Sequence, residues 1–515
     1  MKPAALLLAL LFCVHAAEAK RPASRKAADR KPAAAVLPGK PDMSKPPVLG
    51  PAPSYRPPKR ERFTLSNGLA VLFARDARSP LVSARLVVRG GAALAGRRDA
   101  GIVDAMAELL SAGTSVHSAR EISFEADAFG GALSASAHKD YVELSAYALS
   151  DRAARMFALL AEAARDPSFP PEEVELRRKN MLSELKVERS QPAFLASVAF
   201  FKQLYGRHPY AVVAPTEDSI ARIDREKLQA FHRSLFTPGN ALLVVVGDVE
   251  RAPLEAELER AFASWAPVVE AARPPLPAPQ EGPLRARRVA LVDRPGSAQS
   301  MLMLGNLAVP DSHPDHYKLL VANQVLGGSF ASRLMSDLRE KRGYTYGIYS
   351  SLHSARSAGA FVVRTQVRGE VTGDALKAVL EHVERLRREP VTAQELEQAK
   401  NTLIGGFVRG FETQAGLADA LAQDWALDLP EDRLDAYVQR IEAVTAEDAL
   451  AAAKAYLHPD RLLLTVVGDG QGILPALSAL SPSTVLRLDE NGEESSPVRA
   501  APPAPPLGVI GPKDP

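Results

Sequence analysis

Apolar residues along this chain switch between two periods. Short runs of strand formers occur at Leu81–Val88 and Met301–Leu307, and β-branched runs closing on Gly-Asp at Ala241–Val246 and Leu462–Val467. Such runs, bounded by turn residues, predict buried strands. Between them lie helical stretches at Asp151–Arg165, Pro171–Arg189, Asp374–Arg388 and Thr392–Gly405. The last opens on Thr392-Ala-Gln-Glu395, a capping box that satisfies two free backbone donors and so fixes a helix start. Strands interleaved with long helices predict an α+β fold, with helices packed on one face of a sheet in each half.

The two halves resemble each other. TPGNALLVVVGD at Thr237–Asp248 recurs as HPDRLLLTVVGD at His458–Asp469, with Pro238 and Pro459 separated by 221 residues. Lys179-Asn180-Met181-Leu182 and Lys400-Asn401-Thr402-Leu403 share that offset of 221. One apolar strand can match another by chance, but two segments about sixty residues apart in the same register indicate internal duplication. Pro-rich stretches set the boundaries: a lead-in at 20–60, a linker at 266–285 and a tail at 476–515 flank two bodies, 61–265 and 286–475.

Composition changes the picture only at the ends. With 46% hydrophobic and 24% charged residues, neither wholesale disorder nor a membrane-embedded body is supported. The net charge of +2 gives no reason to expect nucleic acid as a partner. It is unevenly placed, since 20–60 carries +9 and leaves 61–515 at −7. Lys2, the apolar stretch Ala4–Ala17 and Ala17-Glu18-Ala19 read as a signal peptide over 1–19, cleaved after Ala19. Cleavage there removes Cys13, the single cysteine, and with it any thiolate chemistry. No later apolar run approaches eighteen residues, so an exported chain without a transmembrane segment, periplasmic or extracellular, is expected.

Candidate chemistry centres on Gly101–Thr114. Ile102, Val103, Met106, Leu109 and Leu110 define one helical face, and Asp104, Ala107, Glu108 and Ser111 another. Residues four apart project side by side, so that second face suits a helix-borne site. Elsewhere there is no phosphate-binding loop, no Gly-x-Ser-x-Gly elbow and no zinc-ribbon spacing. Among the histidines only His313 and His316 lie close together, in a loop entering a helix.

Several long motifs in order carry a family resemblance: Gly101-(x)₁₁-Gly113-Thr114, Asp166–Pro170, His208–Ile220, Phe236–Val249 and Leu326–Gly347. The chain resembles the pitrilysin/insulinase-type zinc peptidases, closest to the branch of mitochondrial processing peptidase and its two-subunit bacterial relatives. The resemblance implies two homologous domains, each a mainly antiparallel sheet with helices on one face, forming half of a clamshell chamber. It also implies an inverted zinc motif H-x-x-E-H on the first helix, with a distal glutamate as third ligand.

Here the sequence departs from that motif. Asp104 stands for the first histidine, Ala107 for the catalytic glutamate and Glu108 for the second histidine; the distal ligand position is kept as Glu184. Zinc sites rely largely on imidazole or thiolate donors, whereas three carboxylates better suit calcium or magnesium. No intact catalytic site is therefore expected, and Asp104, Glu108 and Glu184 are left as a weak alternative metal set. Arg339 and Tyr346 match the pair that holds peptide substrate in the family, Gly327-Gly328 resembles a substrate-touching glycine loop, and His138 falls in the segment that lines the substrate groove. In the two-subunit branch one chain carries H-x-x-E-H with its zinc, and the partner lacks it. The leading expectation is that non-catalytic, peptide-binding subunit of a heterodimer, with no cofactor of its own. A structural envelope protein, or an autonomous metallopeptidase with a carboxylate site, are the alternatives.

Overall fold

A computed structural model describes residues 56–266, 284–353, 355–481 and 483–495. The expected signal peptide, most of the basic lead-in and most of the linker lie outside the described residues. The first sheet comprises β1 (Arg60–Thr64), β2 (Ala70–Arg75), β3 (Leu81–Arg89), β4 (Ala132–Ala137), β5 (Tyr141–Leu149) and β6 (Ala241–Gly247). Its order is β1-β2-β6-β3-β5-β4, antiparallel except between β2 and β6. The second comprises β7 (Arg288–Asp293), β8 (Gln299–Ala308), β9 (Ile348–His353), β10 (Gly359–Arg368), β11 (Leu463–Gly468) and β12 (Leu486–Leu488). Its order is β12-β7-β11-β8-β10-β9, with β7 parallel to both β11 and β12.

The predicted runs became β3, β6, β8 and β11, the inner strands, which are buried on both faces and so read as continuous apolar stretches. The duplication is visible in the strand order, with one exchange at the edge. β1 enters from the N-terminal side and pairs antiparallel with β2, whereas β12 enters from the C-terminal side and pairs parallel with β7. Residues 476–495, assigned by composition to a tail, therefore contribute the end of a helix (Gly470–Leu480) and an edge strand. Pro/Ser enrichment does not exclude a strand at a sheet edge, where one side needs no ladder partner.

Of the fifteen α-helices among the described residues, seven bear on the cores and the candidate site: α1 (Ile102–Leu109), α2 (Ala153–Arg165), α3 (Pro171–Arg189), α4 (Pro192–Tyr205), α5 (Thr372–Arg388), α6 (Ala393–Gly410) and α7 (Gln414–Ala426). Thr392 and Glu395 form the capping box read from the sequence. Within each half, helices cover one face of the sheet, α1 and α2 in the first and α5 in the second. The opposite faces are covered across the halves, which the hydrophobic pattern did not disclose. Leu195, Ala196, Ala199 and Phe200 of α4 pack on Ala290, Met301, Met303, Val362 and Leu463 of the second sheet. Leu417, Ala418, Leu421 and Ala422 of α7 pack on Val87, Leu242, Val244 and Val246 of the first. Each half thus completes the other's core, and buried apolar area ties them together. Charge reinforces the seam: Arg85, nearly buried on β3, reaches Asp419 of α7 at 2.6 Å.

Candidate functional site

The helix expected to carry the site starts at Gly101, which has φ +88°. A Cβ there would lie 2.9 Å from both Met181 and Pro215, so only glycine fits this left-handed, close-packed entry. Ile102, Val103, Ala105, Met106, Ala107 and Leu109 are buried by the first core. Ala107 is fully buried, so the position matching the family's catalytic glutamate has no access to the surface. Asp104 and Glu108 instead face a cleft of about 740 Å³. The second wall is α3, whose Arg177, Met181, Glu184 and Glu188 recur at helical spacing along it.

The structure brings Asp104, Glu108 and Glu184 into one cleft, and places a guanidinium between two of them. Arg177 Nη2 lies 2.7 Å from Glu108 Oε1, and its Nη1 donates to both Glu184 oxygens at 3.0 Å. The Arg177 side chain is 12% exposed, so this cation is fixed by packing as well as by charge. Among the described residues no group of three or more His, Cys, Asp or Glu side chains is arranged to hold a metal ion. A zinc ion does not fit this donor set: both expected imidazoles are absent, and the two facing carboxylates are already bonded to a resident cation. The weak carboxylate metal set is corrected on the same ground. Arg177 was missed in the sequence, although its i, i+7 relation to Glu184 places both on one helix face.

Burial governs the other charges here. It raises the Asp104 carboxyl above its usual range, against the pull of Lys139 and Arg177. It also raises Glu108, with Arg177 opposing and Glu184 and Asp104 adding. Lys139 is lowered by burial. Its Nζ donates to the carbonyls of Tyr210, at 3.3 Å, and Val212. His138 stacks on Tyr141 with centroids 4.2 Å apart, and burial holds its imidazole below the ordinary value. It lines the cleft, following β4, the edge strand of the first sheet.

The second predicted cluster is on the other half. Arg339 lies in the helical segment Met335–Lys341, with its guanidinium 4.6 Å from the Phe330 ring centre and 4.9 Å from that of Tyr346. Tyr346 is 88% exposed, which rules out a core role for it. Arg342 differs, since it donates to Asp337 at 3.0 Å. Gly327 is explained by packing: a Cβ there would meet Ser350 Oγ at 2.6 Å and Ser350 N at 2.7 Å on β9. Gly328 lies against Gln324 and Asn323. Phe330 adds a second ring beside the arginine and was missed, because an isolated exposed aromatic carries no periodic signal.

A duplicated α+β chain in which a helix of each half covers the other half's sheet, with an arginine tying the two site helices together, defines a peptidase-type scaffold that lacks both histidines of the zinc motif. Family comparisons find the same class of scaffold. Residues 70–210 match Insulinase (Peptidase family M16), and residues 222–403 match Peptidase M16 inactive domain. The chain belongs to peptidase family M16. It is 28% identical to an uncharacterized zinc protease of Mycobacterium tuberculosis over 77% of this chain and 90% of that one. It is 22% identical to the non-peptidase homolog YmxG of Helicobacter pylori over 78% and 91% of the two chains. Among solved structures, the peptidase M16 inactive domain from Pseudomonas fluorescens superposes with a TM-score of 0.73 at 28% identity, covering 79% of this chain and 98% of that one. A protease from Helicobacter pylori gives 0.75 at 22%, covering 80% and 99%, and shares the fold.

Proposed function

We propose that this chain is the non-catalytic, peptide-binding subunit of an exported, heteromeric zinc peptidase, whose partner subunit carries H-x-x-E-H and the zinc. The observation that carries the reading is the Arg177 bridge: a resident guanidinium bonded to Glu108 and Glu184 where the family holds its metal. The kinship with inactive-domain and non-peptidase relatives supports it. Peptide handling is assigned to Arg339 and Tyr346. A guanidinium donates two parallel hydrogen bonds to a carbonyl or carboxylate, and a phenol stabilises a developing oxyanion. Phe330 and Tyr346 hold the Arg339 guanidinium through their rings and leave its edge donors available. Export rests on the Lys2, apolar-run and Ala-Glu-Ala pattern of the N-terminus.

The test is reconstitution with an H-x-x-E-H chain co-purified from the native envelope. Arg339→Ala should lower kcat/KM of the complex about ten- to hundredfold, the loss of one charge-assisted hydrogen bond of ~1.5–3 kcal/mol. Arg342→Ala, which removes the Asp337 and Glu381 pairs and the Tyr344 ring contact, should cost stability and leave peptide cleavage intact. If no H-x-x-E-H chain co-purifies and Arg339→Ala behaves like Arg342→Ala, the chain is a structural envelope protein.

A further inference from the structure

The cleft between α1 and α3 is lined almost wholly by the first half, and the second half contributes Arg364. This residue sits on β10 between β8 and β9, opposite Met303 and Tyr349, so a paired strand fixes its Cβ. Tyr349 is 51% exposed and shares its face of the sheet. Among the described residues Arg364 has no ion pair or hydrogen bond, although it is exposed on the wall of a charged cleft.

The remaining charges of the cleft are accounted for. Arg177 is bound to Glu108 and Glu184, and Lys139 to two backbone carbonyls. Asp104 and Glu188 are raised by burial towards their neutral forms, Glu188 also by Glu184. His353, near Arg364 and edge-on to Phe201 at 5.2 Å, is held below the ordinary imidazole value by burial and by the Arg364 charge. The free guanidinium is thus a cation with all its donors unspent, on a residue paired across strands with Tyr349, in a cleft that apolar Met181 and Phe194 also line.

We propose that Arg364 reads acid in the cleft: it receives a carboxylate of an extended peptide lying between the two halves, with Tyr349 flanking the contact. The inference rests on the peptide-binding reading and adds its substrate class, peptides bearing an acidic side chain or a free C-terminal carboxylate. A planar guanidinium matches a carboxylate bidentately, which gives orientation as well as charge.

The experiment is fluorescence anisotropy of the purified full chain, and of its complex, with labelled short extended peptides. One amidated set carries Glu, Gln or Lys at a central position; a further Gln peptide keeps its free C-terminal carboxylate. The Glu peptide should bind about tenfold tighter than the Gln peptide, or else the free-acid Gln peptide should do so over its amide. Which of the two gains affinity assigns the carboxylate to a side chain or a terminus. Arg364→Gln should abolish the preference and Arg364→Glu should reverse it in favour of Lys. Peptide binding without acid preference, or with a preference that Arg364→Glu leaves unchanged, overturns this inference alone. If no peptide of any charge binds the chain or its complex, the peptide-binding reading falls with it.

Discussion

Replacing Arg177 with alanine tests the feature that distinguishes this chain. The Arg177 side chain is 12% exposed, but its partners Glu108 and Glu184 are 50% and 56% exposed. Solvent screening therefore limits each pair to ~0.5–1 kcal/mol. Removing the guanidinium also leaves the two half-exposed carboxylates facing one cleft without it, adding repulsion of about 1 kcal/mol at the near-aqueous effective dielectric of such exposed groups. The expected loss is about 2–3 kcal/mol at pH 8. Its pH dependence has a definite sign. Burial already raises Glu108 above the ordinary range while Arg177 opposes that rise. In Arg177→Ala the folded-state pKa climbs further above the unfolded value. A group shifted in that direction favours the native state at low pH and penalises it as pH rises through the folded pKa. Urea denaturation at pH 8 and at pH 4.5 should thus show the variant's deficit shrinking to under about 1 kcal/mol in acid. A second readout is calcium. Freed of the guanidinium, Asp104, Glu108 and Glu184 form an all-oxygen set, so millimolar calcium should stabilise the variant and leave the parent unchanged. An equal deficit at both pH values with no calcium response would refute the view of Arg177 as the resident cation of this site.

Three further outcomes are expected. Phe200→Ala removes a fully buried ring of α4 that packs on the second sheet, and should cost about 3–5 kcal/mol; hydrogen exchange should report lost protection in β8 and β11, outside the half that carries the mutation. Gly327→Ala places a methyl 2.6 Å from Ser350 Oγ, and should destabilise by about 1–3 kcal/mol while peptide affinity of the folded fraction is unchanged; an affinity loss at full stability would restore the glycine loop as a substrate contact. Asp424 of α7 is buried, and although Arg433 pairs with it, burial raises it to about 6. Its contribution is therefore fully present below the unfolded carboxyl range near pH 4 and is lost as pH rises through 6, of order ~2–3 kcal/mol. In Asp424→Asn the stability curve should lack that fall between pH 4 and 6, and an unchanged slope would contradict it.

Much of the fold was legible because local burial leaves local traces. Strands β3, β6, β8 and β11 are covered on both faces, so their sequences are continuous apolar runs that any register preserves. α3 began at Pro171, where proline suits a first helical turn, and α6 at its capping box. The loss of the zinc motif was equally local, since H-x-x-E-H is a spacing on one helix and Asp104, Ala107 and Glu108 occupy it. The Arg177 bridge was not local. Arg177 lies between Glu108 and Glu184 only because α1 and α3 converge on one cleft, and no periodicity within either helix encodes their distance.

The chain by itself determined the duplication, the α+β class and the absence of both histidines and the glutamate base at the positions of the zinc motif, because each is written in composition or in short spacing. The tertiary structure alone decided that α4 and α7 exchange covers between the halves. An apolar helix face announces that it needs a partner and does not say which sheet supplies it. It likewise decided that Arg339 is clasped by Phe330 and Tyr346, that the glycine at 327 serves packing against β9, and that Arg364 joins a cleft built by the other half. The helix exchange and the place of Arg364 join residues far apart in the chain and are fixed by how the two halves pack, whereas the Arg339 clasp and the Gly327 contact join residues within about two dozen positions that meet only when the second half folds. Packing is a property of the assembled chain.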